Sequence, residues 1–250
     1  MEIVLIGAGN MGSAMLDGLS SYSVTVVERD SQKAAALQEK YSDITVQSVA
    51  PDITAKVVIL AIKPQSLESL ELFGKAEAVI SILAGTPIAN IKKIVDAEYY
   101  IRAMPNVAAL KQKSVTSVVG DSGFKEEALK ILSTIGTPIW LKSEKELDIA
   151  TGLAASSPAW LAIVAEALAD GAVNLGLGRA ESYAYLGGLF EGVGALLKEM
   201  KPSDFKDIVS SPGGTTIAGV AALEKRAVRA AFIEAMASCY DRALELGKKE

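Results

Sequence analysis

The first residues with a possible functional role are three glycines, Gly7, Gly9 and Gly12, which could form a ligand-binding loop in the segment GAGNMG. The segment before them, EIVLIG, is apolar like a buried strand, and the segment after them has a helical pattern. In this setting G-x-G-x-x-G spacing is typical of dinucleotide binding, because the glycines permit a tight turn, a close approach of backbone to a diphosphate and close helix–strand packing. The helix N-terminus adds free N–H groups. A chance glycine turn is the alternative.

The segment VVERD, about 20 residues further on, carries both residue types that recognise a cofactor ribose. Glu28 could accept hydrogen bonds from the ribose hydroxyls and repel a 2′-phosphate. Arg29 could stack on adenine, pair with that phosphate, or be a solvated surface charge. The segment therefore predicts NAD(P)H binding and leaves the choice between the two cofactors open.

A second glycine-containing segment, SSPGGTTIAG at residues 210–219, lies between two helical patterns. Gly213 and Gly214 lead into a helix at Thr215, so the loop offers bare backbone N–H groups at a positive helix end. Such a loop fits a small anion without histidine or arginine. The alternative is a helix–helix turn in which Ser210 or Ser211 is the N-cap.

Three other segments should lie at one edge of the predicted sheet: AIKP at 61–64, ILAG at 82–85 and RAMPN at 102–106. Each follows an apolar run, and ligands bind at the carboxyl ends of parallel strands. Lys63 could contact an anion or be a surface charge. Gly85 would let another backbone or a ligand approach closely.

The elements that must position these residues alternate in the first part of the chain. Continuous Val/Ile/Leu runs separated by helical stretches predict a doubly wound, mostly parallel Rossmann-type sheet covered on both faces. We predict strands at 2–7, 24–28, 57–62, 78–83, 99–104, 115–120 and 137–141, and helices at 11–20 and 31–41.

From Thr151 onward no strand is predicted. Five helical stretches follow, at 158–175, 180–200, 203–210, 216–224 and 227–247. We therefore place a domain boundary near 145–155, with an α/β NAD(P)-binding domain at 1–150 and an all-α domain at 151–250.

The helical part is unusually poor in charge. Residues 151–197 contain five charged side chains, namely Glu166, Asp170, Arg179, Glu181 and Glu191. Exposed helices need a fuller polar face than this. A buried central helix is one explanation; we favour packing against a second copy of the chain.

Composition excludes several classes of function. The net charge of −5 argues against nucleic-acid binding, and the absence of histidine removes the commonest metal ligand and acid/base. We expect no metal and no membrane span, since no apolar run approaches about 20 residues. The single cysteine, Cys239, and an N-terminus without a basic leader predict a cytoplasmic protein.

Together, GAGNMG, LAIKPQ, SILAG, RAMPNVAA and above all SSPGGTTIAGVAALE resemble the pyrroline-5-carboxylate reductase family over essentially the whole chain. The resemblance implies a Rossmann domain followed by a helical dimerisation domain. It also implies reduction of (S)-1-pyrroline-5-carboxylate to L-proline with NADP(H) or NAD(H), in a homodimer or a ring of dimers.

The resemblance also assigns site residues. Ser211, Gly213, Gly214 and Thr215 would line the substrate carboxylate, and we expect the Thr216 hydroxyl, as the catalytic group, to bond the ring nitrogen. Cofactor contacts are expected at Gly7, Ala8, Gly9, Asn10, Met11, Gly12, Glu28, Arg29, Ser48, Ala61, Ile62, Lys63, Pro64, Ala84, Gly85 and Asn106.

The chain departs from the family pattern at a few places. Val107 and Ala108 replace a Thr-Pro pair, and ASSPAW, which includes Ser156 and Ser157, replaces GSGPAY. Ser48 falls near a frequent Asn. Glu28 stands where many members have Ser or Asn.

Two rival functions are weighed against this one. A β-hydroxyacid dehydrogenase would place a lysine on the first long helix of the second domain, and the segment SSPAWLAIVAEALADGAVNLG has none. A cofactor-binding regulatory protein that has lost catalysis could have lost the 211–216 loop, which is intact here.

Overall fold

The computed structural model describes residues 1–247. The chain divides into two compact units. The first contains residues 1–156 together with the end of the chain from Ser238, and the second contains Ser157–Ala237.

The first unit is built on one eight-stranded sheet. Its strands are β1 (Glu2–Ile6), β2 (Ser23–Val27), β3 (Ile44–Gln47), β4 (Val57–Leu60), β5 (Ala76–Ser81), β6 (Ala97–Met104), β7 (Ser114–Gly120) and β8 (Gly136–Trp140). They lie in the order β3-β2-β1-β4-β5-β6-β7-β8. All neighbours pair in parallel except β6 and β7, which are antiparallel.

Both faces of the sheet are buried, as the continuous apolar runs predict. In β4, Val57 and Ile59 join the apolar core on one face, while Val58 and Leu60 join the core on the other. Side chains alternate between faces along a strand, so four consecutive buried residues require cover on both sides. The predicted Rossmann-type fold class and all seven predicted strands are confirmed.

The sequence analysis missed β3. This strand has only four residues, forms one edge of the sheet, and has no buried side chain. A short, half-exposed edge strand lacks the apolar run that marks the central strands. Its position still matters, because Gln47 continues the ladder by accepting a hydrogen bond from the Glu28 N–H at 3.0 Å.

The helices of the first unit include α1 (Asn10–Gly18), α2 (Ser31–Lys40), α3 (Ile88–Ile91), α4 (Lys125–Ser133) and α5 (Glu144–Ala150). In α1 the buried face contains Ala14, Met15 and Leu16. The Asp30 carboxylate caps α2 by accepting from the N–H groups of Gln32 and Lys33. This cap satisfies donors that a helix N-terminus otherwise leaves free.

An ion-pair network around the buried Arg102 side chain connects the elements beside the loops that follow β5 and β6. The Arg102 side chain on β6 is 2% exposed and donates to Glu144 at 3.1 Å and to Asp148 at 2.8 Å. Glu144 also accepts from the Ile88 N–H, at 3.0 Å. One guanidinium therefore joins β6 to α5, and its partner Glu144 joins α5 to the start of α3.

The second unit is entirely helical. It contains α6 (Ser157–Asn174), α7 (Arg179–Leu196), α8 (Pro202–Ile208), α9 (Thr215–Lys225) and the first part of α10 (Val228–Gly247). These match the five predicted helices to within four residues at each end. A six-residue π-helical stretch, Thr151–Ser156, separates α5 from α6.

The helices of the second unit have almost no buried side chains within one chain. Of residues 157–237, all of which the structure describes, only Ala169 and Ser182 are buried. Large apolar side chains are exposed instead, among them Leu161, Ile163, Leu168, Leu175, Tyr185, Ile217 and Ile233. Apolar surface on this scale marks an association surface.

The expectation of no membrane span, which rests on the length and apolarity of helical segments, stays a prediction. Within residues 1–247, the run Glu144–Asn174 meets both criteria. The criteria concern length and composition only, and apolar helices of other origin meet them as well.

Candidate functional site

A groove lies at the carboxyl ends of β1, β2 and β4, with a volume of about 510 Å³. It is lined by Ile6, Gly7, Ala8, Gly9, Val27, Glu28, Arg29, Ser48, Val49, Ala50, Ala61, Ile62, Lys63, Ser66, Ser69, Leu70 and Glu71. This is the edge of an open α/β sheet at which ligands bind.

The turn between β1 and α1 is compact because Gly7 has no side chain. Gly7 has φ +92°, a conformation that residues with a Cβ rarely adopt. A Cβ there would lie 2.8 Å from Ile62 Cγ2 and 3.0 Å from the Ala61 carbonyl oxygen. Its N–H donates to the Val27 carbonyl at 2.9 Å, which joins the turn to the end of β2.

The other two glycines of the turn have different physical roles. A Cβ on Gly12 would lie 2.3 Å from the Gly7 carbonyl oxygen, so α1 can pack this closely on the turn only without one. A Cβ on Gly9 would meet no atom within 4 Å, and the Gly9 backbone is extended. Open space therefore lies over Gly9, where it precedes a helix with no side-chain cap.

This arrangement fits a dinucleotide diphosphate. Backbone N–H groups at the start of α1 have no side-chain acceptor at the N-cap, and an anion there is favoured by the helix dipole. The open space over Gly9 is the cradle that a side chain would fill. The residues present therefore suit the cofactor that the sequence predicts.

Glu28 forms one wall of the groove, and its carboxylate is fixed by backbone donors. Oε2 accepts from the Ala8 N–H at 3.2 Å, and Oε1 accepts from the Asp30 N–H at 3.0 Å. The neighbouring Arg29 is exposed, and its Nη2 lies 3.5 Å from the Ser69 carbonyl oxygen.

The structure brings nine of the predicted cofactor residues together in this groove: Gly7, Ala8, Gly9, Glu28, Arg29, Ser48, Ala61, Ile62 and Lys63. The others lie outside its lining. Asn10, Met11 and Gly12 form the first turn of α1, Pro64 begins a short 3-10 turn, Ala84 and Gly85 follow β5, and Asn106 follows β6. The cofactor contacts of both groups stay predictions.

Sequence reasoning missed one wall of the groove, formed by Ser66, Ser69, Leu70 and Glu71. These residues follow β4 in an irregular segment that starts with the turn at Pro64. No motif marks them. The only sequence signal is that they come shortly after the carboxyl end of a central strand.

The Asn106 side chain is occupied by contacts within its own unit. Its Nδ2 donates to the Ala154 carbonyl at 2.9 Å, and its Oδ1 accepts from the Ala108 N–H at 3.2 Å. Its backbone N–H donates to Ser114 Oγ at 3.0 Å. Asn106 thus connects the end of β6 to the π-helical stretch.

The second glycine loop belongs to the helical unit. Gly213 has φ +68° with open space around its Cα, and the Gly214 N–H donates to the Ser211 carbonyl at 3.0 Å. The N-cap of α9 is Gly214, which provides no side-chain cap, so neither Ser210 nor Ser211 caps this helix. Ser211, Thr215 and Thr216 are exposed.

No cluster of three or more potential metal ligands occurs among the residues that the structure describes. The groove offers backbone N–H groups, hydroxyls, two carboxylates and two cations instead.

Two family models match the chain. A model of pyrroline-5-carboxylate reductase dimerisation matches residues 144–246. A model of NADP oxidoreductase, coenzyme F420-dependent, matches residues 2–85. The first includes the charge-poor helices, and the second includes the glycine turn and Glu28.

Individual proteins match over their full length. A pyrroline-5-carboxylate reductase of Synechocystis is 37% identical, covering 100% of this chain and 99% of the relative. One of Thermus thermophilus is 35% identical, covering 100% of both. A solved structure of a pyrroline-5-carboxylate reductase from Coxiella burnetii has a TM-score of 0.85 at 28% identity, covering 99% of this chain and 98% of that one.

The two glycines Gly9 and Gly12 should respond differently to alanine. Gly12→Ala places its Cβ against the Gly7 carbonyl. Overpacking of this kind costs about 1–3 kcal/mol of stability, so the thermal unfolding midpoint should fall by several degrees. Gly9→Ala should leave the midpoint unchanged but weaken cofactor binding by about tenfold or more, since its methyl enters the diphosphate space.

Calorimetric unfolding and titration calorimetry with reduced cofactor measure these two effects. Equal loss of stability in both variants, or full cofactor affinity in Gly9→Ala, would contradict the roles assigned to the two positions.

Proposed function

This chain belongs to the pyrroline-5-carboxylate reductase family, and we propose that it reduces (S)-1-pyrroline-5-carboxylate to L-proline with NAD(P)H. The proposal rests on full-length similarity that includes both glycine loops. In the reaction a hydride adds to the imine carbon, the carbon–nitrogen double bond becomes single, and the nitrogen retains the proton of the iminium form. The oxidised cofactor is released.

The reduced nicotinamide supplies the hydride when it is bound. The chain's own contribution is to hold the cofactor, with the glycine turn at the diphosphate and Glu28 or Arg29 at the adenosine end. Ala84 and Gly85 after β5 and Asn106 after β6 lie beyond the groove lining, at later strand ends, and we assign the nicotinamide end to them. Holding two reactants in register can lower a barrier by several kcal/mol, about 7–11 in the best cases.

We assign the substrate to the loop that precedes α9. Ser211, Gly213, Gly214 and Thr215 would contact the carboxylate. The lack of a side-chain cap on α9 supports this assignment, because the backbone N–H groups at its start have no side-chain acceptor there. Thr216 would hydrogen-bond the ring nitrogen through its hydroxyl.

The reaction does not require a strong acid from the protein. The imine nitrogen can be protonated in water before binding, and the resulting iminium is the better hydride acceptor. The chain needs only to orient that nitrogen, which a threonine hydroxyl can do. The absence of histidine from the sequence is therefore compatible with this chemistry.

We also propose that the helical unit packs against a second copy, as a homodimer or a ring of dimers. Two observations support this: the dimerisation model matches residues 144–246, and the helices of the second unit bury almost no side chains alone. The cytoplasmic location stays a prediction.

Purified protein should oxidise NADH or NADPH when racemic pyrroline-5-carboxylate is added, and proline should accumulate in equal amount. The loss of reduced-cofactor absorbance and amino-acid analysis measure the two. Cofactor binding without any turnover of the imine would reject the reductase and favour the regulatory alternative.

Thr216→Ala should lower kcat by about tenfold or more, consistent with loss of a hydrogen bond to a charged group, while cofactor affinity stays within about twofold. Thr137→Ala on the edge strand β8 is the matched control, since it removes another exposed threonine hydroxyl. An equal loss of kcat and cofactor affinity in Thr216→Ala would reject the role given to this hydroxyl.

Ile163→Asp should shift the protein to lower mass in sedimentation equilibrium, because a charge would be buried at the proposed interface. Ile163 on α6 is 65% exposed in one chain. Phe73→Asp is the control, at a side chain 68% exposed in the first unit, and should leave the mass unchanged. A wild-type protein that sediments as an active monomer would overturn the proposed assembly.

A further inference from the structure

We propose that Glu28 makes this protein bind NADH more tightly than NADPH, with its carboxylate accepting the ribose hydroxyls and repelling a 2′-phosphate. This inference rests on the proposed use of a nicotinamide cofactor but not on the identity of the imine. It settles the choice that the sequence leaves open between Glu28 and Arg29.

The position of Glu28 is set by two backbone hydrogen bonds. The Gly7 N–H donates to Val27 at the end of β2, and the Glu28 N–H donates to Gln47 at the end of β3. Glu28 therefore follows β2 directly and stands beside the glycine turn, at the edge of the sheet where a cofactor ribose lies in such folds.

The carboxylate itself is held in one orientation. Each oxygen accepts one backbone N–H, from Ala8 and from Asp30, at 3.2 and 3.0 Å. A carboxylate has about four acceptor sites, so each oxygen keeps one lone pair for a further donor. Two neighbouring ribose hydroxyls are such donors. A phosphate dianion has no proton to donate.

Moving the carboxylate away would break both of these hydrogen bonds. The Ala8 and Asp30 N–H groups would lose their acceptor, and Asp30 is itself fixed because its side chain caps α2. A 2′-phosphate could therefore not displace Glu28 without breaking hydrogen bonds to a charged group, which are among the stronger ones.

The negative charge of Glu28 is not cancelled by a neighbour. Among the described residues, Glu28 forms no ion pair within 4.0 Å. The two cations in the groove lining are Arg29 and Lys63, and both side chains are exposed. Arg29 is directed to the Ser69 carbonyl, in the wall formed by Ser66, Ser69, Leu70 and Glu71.

A bound 2′-phosphate would bring a charge of about −1.5 to −2 next to this carboxylate. Like charges placed side by side in a partly buried site are costly, whereas solvated cations at the rim contribute little. The balance of these electrostatic interactions favours a ribose with free hydroxyls, and hence NADH.

The test uses ADP-ribose and 2′-phospho-ADP-ribose, which contain the discriminating end of each cofactor and no nicotinamide. Titration calorimetry of the wild-type protein should give a Kd at least about tenfold lower for ADP-ribose. Because neither probe can react, the result is independent of turnover, so failure of this inference is distinguishable from failure of the proposed reaction.

Glu28→Gln should reduce the ratio of the two Kd values by about tenfold or more, as the charge disappears while the side chain keeps its size. Glu68→Gln is the matched control: it removes an exposed carboxylate that does not line the groove and should leave the ratio unchanged. An equal effect of the two variants would mean that net charge, not Glu28, sets the preference.

Tighter or equal binding of 2′-phospho-ADP-ribose by the wild-type protein would overturn the inference outright, and this result does not depend on how the variants fold. Arg29→Ala adds a further arm. If the wild-type protein prefers 2′-phospho-ADP-ribose and Arg29→Ala selectively loses binding of that probe, Arg29 and not Glu28 determines the ribose preference.

Discussion

The cofactor edge of the sheet depends on one close backbone contact, between the Cα of Gly12 and the Gly7 carbonyl oxygen. Because no Cβ intervenes, α1 starts directly above the turn that leaves β1. Ala8 lies in the same turn, and its N–H donates to the Glu28 carboxylate. The proposed diphosphate and ribose contacts are therefore coupled through a single turn: a side chain at position 12 would displace the turn that contains the Ala8 donor as well as the start of α1.

Arg102 has a comparable role for the strands farther along the sheet. Burying a guanidinium is costly unless carboxylates pair with it, and the partly exposed Glu144 and Asp148 do so here. Here the three charged groups connect β6, α5 and α3, the elements next to the loops that carry Asn106, Ala84 and Gly85. A buried charge network can hold these connections in one arrangement in a way that apolar contacts, which are not directional, cannot.

How much could be predicted from the sequence differs between elements for physical reasons. Central strands such as β4 are buried on both faces, so an unbroken apolar run marks them, while the edge strand β3 has no such run. Gly7 and Gly12 were recognisable because the backbone geometry excludes other residues. The wall formed by Ser66, Ser69 and Glu71 has no such constraint. Its residues line the groove only because the chain leaves β4 in that direction, which no local pattern encodes.

The low charge of the helical unit was informative for a different reason. A helix that stays in water needs a polar face, and α6 and α7 together contain five charged residues. In the structure of one chain their apolar side chains are exposed. Folding of a single chain therefore does not remove this apolar surface from water. Burial of a single such side chain contributes about 1.5–3 kcal/mol, and many are available. We therefore expect the helical unit, which includes the loop before α9, to gain much of its stability from association.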